Sequence, residues 1–144
     1  MKTKPLTLFD NQKVIVYVDG GSRGNPGPAA LGVVIAGKEY GEYLGITTNN
    51  QAEYRAIIFA LRKIKQLLGK KKAKESSVEV RADSELVVRQ LNGKYKILEE
   101  ELQPLFLEIW NLRFDFGKID FVHVPREENK RADRVVNKVL DEHA

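Results

Sequence analysis

The chain has 144 residues, 42% of them hydrophobic, enough for one domain with a core of its own. Its 24 basic and 20 acidic residues leave a net charge of +4, too even a balance to indicate nucleic acid by itself. The absence of cysteine excludes disulfides, and two histidines make a zinc site a poor reading. The first dozen residues (MKTKPLTLFDNQ) carry lysines but no apolar run, so neither a signal peptide nor a membrane span is expected, and a cytoplasmic protein is.

After this extension of residues 1–12, one domain is expected over 13–144. Residues 13–18 (KVIVYV) are β-branched and aromatic and run into Asp19-Gly20-Gly21, which reads as a strand ending in a turn. Residues 29–37 and 39–47 read as two further strands joined tightly around Gly37-Lys38, an antiparallel meander. Residues 50–68 change to a helical period, with Ile57, Ala60, Leu61, Ile64, Leu67 and Leu68 on one stripe. A fourth strand is expected over 77–83, a short helix over 84–92, and a longer helix over 100–114 with Pro104 in its first turn. Residues 118–124 read as the fifth strand and 128–143 as the last helix. Right-handed crossovers make the third, fourth and fifth strands parallel. The fold class is therefore α/β, a five-stranded mixed sheet of order 3-2-1-4-5 with strand 2 antiparallel, flanked by helices.

This topology sends Asp19, Glu53, Asp83 and Asp133 to one rim of the sheet, where open α/β sheets place their ligands. Each acid also has a plainer explanation. Asp83-Ser84 would cap a helix, Asp19 would serve a turn, and Glu53 and Asp133 would complement helix dipoles. Glu53, however, lies four residues before Ile57 and so on the inward stripe, where an unpaired carboxylate is expensive. Four acids converging without a nearby basic partner are costly unless a cation joins them. Oxygen-only ligands suit Mg²⁺ or Mn²⁺.

The strings YVDGGSRGNPGPAALG, TTNNQAEYRAIIFAL, VRADSELVVRQLNG and HVPREENKRADRVVN resemble, in order and spacing, the four signature blocks of type 1 ribonucleases H. The resemblance runs from about residue 13 to 140. It implies an RNase H-like fold and an endoribonuclease that hydrolyses the RNA strand of an RNA–DNA hybrid, leaving 5′-phosphate and 3′-hydroxyl ends. Asp19, Glu53, Asp83 and Asp133 would be its metal-binding carboxylates. Two Mg²⁺ ions about 4 Å apart would activate the water and stabilise the leaving oxygen. Substrate contacts would fall on Gly20, Asn25, Thr48, Asn49, Asn50, Gln51, Ser84, Lys94 and Lys96. Short amides in a shallow groove could recognise the ribose 2′-OH without reading bases. Thr48, Asn49 and Asn50 could equally cap the helix beginning near residue 50. His123 stands where the family has a mobile histidine, Arg126 competes for the place near the scissile phosphate, and a strand-ending His123 is equally consistent.

The chain departs from long bacterial members of that family in having only GKYKILEEELQP where they carry a basic protrusion. Trp110, beside Leu107, Ile109 and Leu112, reads as core. Gly69–Lys74 reads as a solvated lysine-rich loop at the pole opposite the acids, whereas Arg89, Lys94, Tyr95 and Lys96 could follow the DNA strand. No exposed apolar stripe demands a dimer, so a monomer is expected. A related polynucleotidyl transferase or resolvase, and a silent binding module, are the alternative functions.

Overall fold

The computed structural model describes residues 13–144; the expected extension of residues 1–12 lies outside the described residues. Five strands form one sheet: β1 (Val14–Ser22), β2 (Gly27–Ile35), β3 (Lys38–Thr47), β4 (Ser77–Ala82) and β5 (Lys118–His123). Its order is β3-β2-β1-β4-β5, with β1–β2 and β2–β3 antiparallel and β1–β4 and β4–β5 parallel, as the sequence predicts. The helices are α1 (Asn49–Leu68), α2 (Lys70–Lys74), α3 (Glu85–Leu91), α4 (Gln103–Leu112) and α5 (Lys130–Glu142). Two 3₁₀ turns, Arg113–Asp115 and Arg126–Glu128, lead into β5 and α5.

Alternation along β1 sets the layers. Val14, Val16 and Val18 are buried in a core shared with Tyr54, Ile57, Leu61 and Ile64 of α1 and Ile109 of α4. The opposite face of β2 and β3 receives α5, whose Val136 and Leu140 pack with Ala30. Among the described residues no helix is long and apolar enough to cross a membrane.

Four details differ from the sequence reading. Asp19 does not end β1: the strand continues to Ser22 because Asp19–Ser22 pair with Ala29–Gly32 of β2. Only the parallel pairing with β4 stops there, at Val18–Ala82, so Asp19 faces the opening where the two neighbouring strands part. The β2–β3 turn falls on Ala36-Gly37, both at positive φ (51° and 79°), one residue earlier than expected; two left-handed residues match the twist of the flanking strands. The lysine segment forms the short helix α2 rather than a loop, although Lys70, Lys71 and Lys74 are exposed as expected.

The fourth correction concerns apolar side chains. Adjacent helical residues point about 100° apart, so a run of them cannot all face one core. Leu68 is half-buried and Leu67 turns out to 47% exposure. On α4, Ile109 is 1% exposed, whereas Leu107 and Trp110 are 56% and 43% exposed. Trp110 is therefore not core, and α4 does present an exposed apolar face.

Candidate active site

Two glycines in the sheet let the helices bring their acids inward. A Cβ on Gly20 would lie 2.3 Å from the Ala52 carbonyl carbon and 2.5 Å from the Glu53 amide nitrogen. No side chain fits there, and α1 thereby seats Glu53 beside Asp19. A Cβ on Gly32 would lie 2.4 Å from the Ala132 carbonyl oxygen, so the same device brings the start of α5, with Asp133, onto β2. Glu53 belongs to the second turn of α1 rather than its first, because Thr48 is the cap; Asp133 lies in the first turn of α5.

One carboxylate oxygen from each of Asp19, Glu53 and Asp83 lies within 4.8 Å of the other two. Asp19 is buried, and Asp133 stands close enough to act on its carboxyl. Burial, then the charges of Asp83 and Asp133, push the Asp19 carboxyl up to about 8. Burial, then the charges of Asp19 and Asp83, push Glu53 to about 8 as well, against the opposing influence of a Ser84 hydrogen bond and the Arg126 charge. Without a cation this cluster favours protons, which is the behaviour of a site built for positive charge. The cleft above it, about 340 Å³, is lined by all four acids together with Arg126, Asn49 and Gly20–Arg23.

The neighbouring polar residues are tied to one another. Thr48 and Gln51 form a reciprocal capping box at the start of α1. The Asn49 Oδ1 accepts from the Ser22 backbone N–H at 2.8 Å, and the Asn49 backbone N–H donates to Asn25 Oδ1 at 3.0 Å, fastening the glycine-rich turn to α1. Asn50 Nδ2 donates to Glu99 Oε1 at 3.1 Å. Ser84 caps α3 by accepting from the Val87 N–H at 3.3 Å, and its hydroxyl also lies near enough to Glu53 to favour that residue's charged form.

The structure thus brings Asp19, Glu53, Asp83, Asp133, Gly20, Ser84, Asn49 and Arg126 together and sets Asn25, Thr48, Asn50 and Gln51 along the adjoining edge. Lys94 and Lys96 are exposed past the C-terminal end of α3, outside the cleft. His123 is the exposed last residue of β5, paired in register with Ala82, and its electrostatic neighbour is Glu85; it does not line the cleft.

Sequence reasoning missed Asn129. This residue is 1% exposed, and its Nδ2 donates to the Val18 carbonyl at 2.8 Å and to Asp83 Oδ2 at 3.1 Å. It ties β1 to Asp83 from the position preceding α5, and its own backbone carbonyl accepts from the Asp133 N–H at 3.1 Å. The available signal was an amide-bearing residue one helical turn before Asp133, at the place of an N-cap.

A mixed sheet of this order with acids at the rim of its central strands is the RNase H-like architecture. The Reverse transcriptase-like family matches residues 17–139. The ribonuclease HI of Halobacterium salinarum is 39% identical over 136 residues, covering 90% of this chain and 65% of that protein. The bifunctional protein Rv2228c of Mycobacterium tuberculosis is 38% identical over 136 residues, 90% of this chain and 36% of its own length. The crystal structure of LC11-RNase H1 in complex with RNA/DNA hybrid matches with a TM-score of 0.85 at 45% identity, covering 90% of this chain and 98% of that one. The chain belongs to the type 1 ribonuclease H family. It spans between about a third and two thirds of the length of the two curated relatives.

Proposed function

We propose that the chain is a divalent-cation-dependent endoribonuclease that hydrolyses the RNA strand of RNA–DNA hybrids, leaving 5′-phosphate and 3′-hydroxyl ends. The observation that carries this reading is the knot of three carboxylates, with oxygens within 4.8 Å of one another around a buried Asp19. The hybrid-bound LC11-RNase H1, alike in fold and at 45% identity, supports the substrate class.

The donor set fits hard cations: it is all oxygen, and two of its members hold protons far above the ordinary carboxylate range. Asp19, Glu53, Asp83 and Asp133 would hold two Mg²⁺, or Mn²⁺. When bound, the pair supplies Lewis acidity on both sides of an in-line displacement at phosphorus. The remaining work falls to the protein. Asn129 and Ser84 hold Asp83 and Glu53 in place, and Arg126 sets a positive charge at the cleft that favours a phosphate. Asn25, Thr48, Asn49, Asn50 and Gln51 form the polar edge suited to sugar hydroxyls, and the 2′-OH distinguishes the RNA strand there. Lys94 and Lys96 would meet the DNA strand's phosphates beyond α3. His123, at the rim, would assist proton transfer or product departure only from outside the cleft.

The test is incubation with a labelled RNA–DNA hybrid, single-stranded RNA, duplex RNA and duplex DNA, with Mg²⁺ and with EDTA. Metal-dependent cutting of the hybrid's RNA strand alone is expected. Cutting of duplex DNA would transfer the chain to the resolvase class, and binding without cleavage to the silent modules.

A further inference from the structure

At the pole opposite the acids the chain gathers aromatic rings and lysines that the hydrolytic reading leaves unused. The side chains of Phe106, Trp110 and Phe114, four residues apart, form a ladder along α4 and the turn that follows it. Phe106 and Trp110 stack at 6.5 Å between ring centroids, and Phe114 meets Trp110 edge-on at 5.9 Å. The ladder opens outward, with Trp110 43% and Phe114 61% exposed. The Arg113 guanidinium lies 4.7 Å from the Trp110 ring centre. Helix α2 flanks the ladder, and Lys74 Nζ donates to the Phe114 carbonyl at 2.9 Å, joining the two features. Four of the five residues of α2 are lysine, and Lys70, Lys71 and Lys74 are exposed.

The acids on this surface do not cancel the charge. Glu108 is paired with Arg62 and Asp115 with Lys65; of the three acids there, Glu75 is the one without an ion pair among the described residues. Exposed rings beside Lys70 and Lys71, which form no ion pair among the described residues, match the chemistry of a strand with negative phosphates and accessible base faces. They fit a duplex poorly, since its bases are already stacked, and the excess of lysines gives a neutral protein surface no electrostatic partner.

We propose that the α4–α2 surface is a second nucleic-acid site, binding single-stranded DNA or RNA by base stacking on Phe114 and Trp110 and by phosphate contacts to Lys70, Lys71 and Arg113. The six residues of β4 separate α2 from the acid rim by about 20 Å, so this site acts apart from the cleavage cleft. It goes beyond the hydrolytic reading and does not depend on it.

Trp110 is the only tryptophan of the chain, so its fluorescence reports this surface alone. Titration of the full chain with a dT oligonucleotide of about fifteen nucleotides at low salt should quench that signal, less so as salt rises. An rU oligonucleotide should do the same, whereas duplex DNA should quench weakly. The Lys70→Gln/Lys71→Gln double variant should bind about tenfold more weakly and lower the salt slope by about 1.4. Phe114→Ala should also lose about tenfold, measured by anisotropy of a labelled strand. Both variants should cleave a short blunt-ended hybrid as the parent does, and Asp19→Asn should retain the quenching. Absence of quenching, equal quenching by duplex DNA, or an unchanged salt slope in the double variant would overturn the proposal. So would concentration-dependent self-association that hides Trp110 irrespective of oligonucleotide, which would make the ladder a contact between copies. Failure of hybrid cleavage would defeat the hydrolytic reading while leaving the fluorescence result standing.

Discussion

The two poles of the sheet use charge in opposite ways. At the acid rim, like charges are gathered, partly buried, and held by a network running through Asn129, Ser84 and the glycine-made close approaches of α1 and α5. At the α2–α4 pole, lysines and rings stand in solvent with few fastenings. The first arrangement is unfavourable to the fold and demands a ligand for relief; the second costs the fold little. Preorganised chemistry therefore leaves a trace in stability, whereas a contact surface leaves one only in exposure. Substitutions at the acid rim should move melting temperature and activity in opposite directions or both strongly, and those at the other pole should move neither.

The largest effect is expected from Asp19→Asn. It removes a buried carboxyl from the centre of the cluster, so hybrid cleavage should fall at least about a hundred- to a thousandfold. The same change relieves repulsion, and the metal-free protein should melt higher, by on the order of 5 °C. Calorimetry in EDTA beside a cleavage assay reads both quantities. A variant that melts lower without metal would refute the picture of a crowded, proton-holding cluster.

Gly20→Ala should cost both stability and activity. Its Cβ meets α1 backbone at 2.3 Å, so the helix must retreat and carry Glu53 with it. Overpacking of this kind costs about 1–3 kcal/mol, and cleavage should drop by more than tenfold, about what a small misplacement of a reacting group costs. Gly21→Ala is the control, because its nearest neighbour would be Val136 at 3.7 Å, an ordinary contact. Urea melts of the two variants should differ clearly; equal stability would show that the close approach of α1 is not held by Gly20.

The metal-free protein should also lose stability as pH rises. Asp19 and Glu53 titrate near 3.8 and 4.5 in ordinary surroundings and near 8 here, so between about pH 4 and pH 8 the folded chain binds more protons than the unfolded one. Stability is therefore greatest at the acid end of that window and declines toward pH 8. Mg²⁺ should flatten or reverse the slope by binding the native carboxylates in place of protons. Melting curves from pH 5 to 8, with and without Mg²⁺, measure this; an apo melting temperature that climbs across the window would contradict it.

These tests bear on what the sequence could reveal. Asp19, Glu53, Asp83 and Asp133 were legible because topology alone carries strand ends and helix starts to one rim, and a period-2 or period-3.6 pattern is enough to draw that topology. The sheet order followed from the same reasoning. Asn129 was not legible, since its role depends on which carbonyl and which carboxylate its amide meets across elements far apart in sequence. Trp110 failed for a related reason: apolar residues surround α4, but only one side of that helix has a layer to pack against, and composition cannot say which side. The extent of β1 was misjudged because Asp19-Gly20-Gly21 has turn chemistry locally, while pairing with Gly32, Leu31 and Ala30 keeps it extended.

The smallest effect separates two residues that the sequence left equal. Arg126 lines the acid cleft and its charge reaches Glu53, whereas His123 ends β5 outside that cleft with Glu85 as its neighbour. A cation at the cleft should matter to a phosphate that gains charge during reaction, so Arg126→Ala should lower kcat about tenfold, roughly one favourable charge contact. His123→Ala should lower kcat by no more than about threefold, well below the loss of a general acid or base. Single-turnover cleavage compared with steady state separates the chemical step from product departure in both variants. If His123→Ala slows the single-turnover step more than Arg126→Ala does, the histidine enters the cleft when substrate is bound, and the assignment made from its position at the rim is wrong.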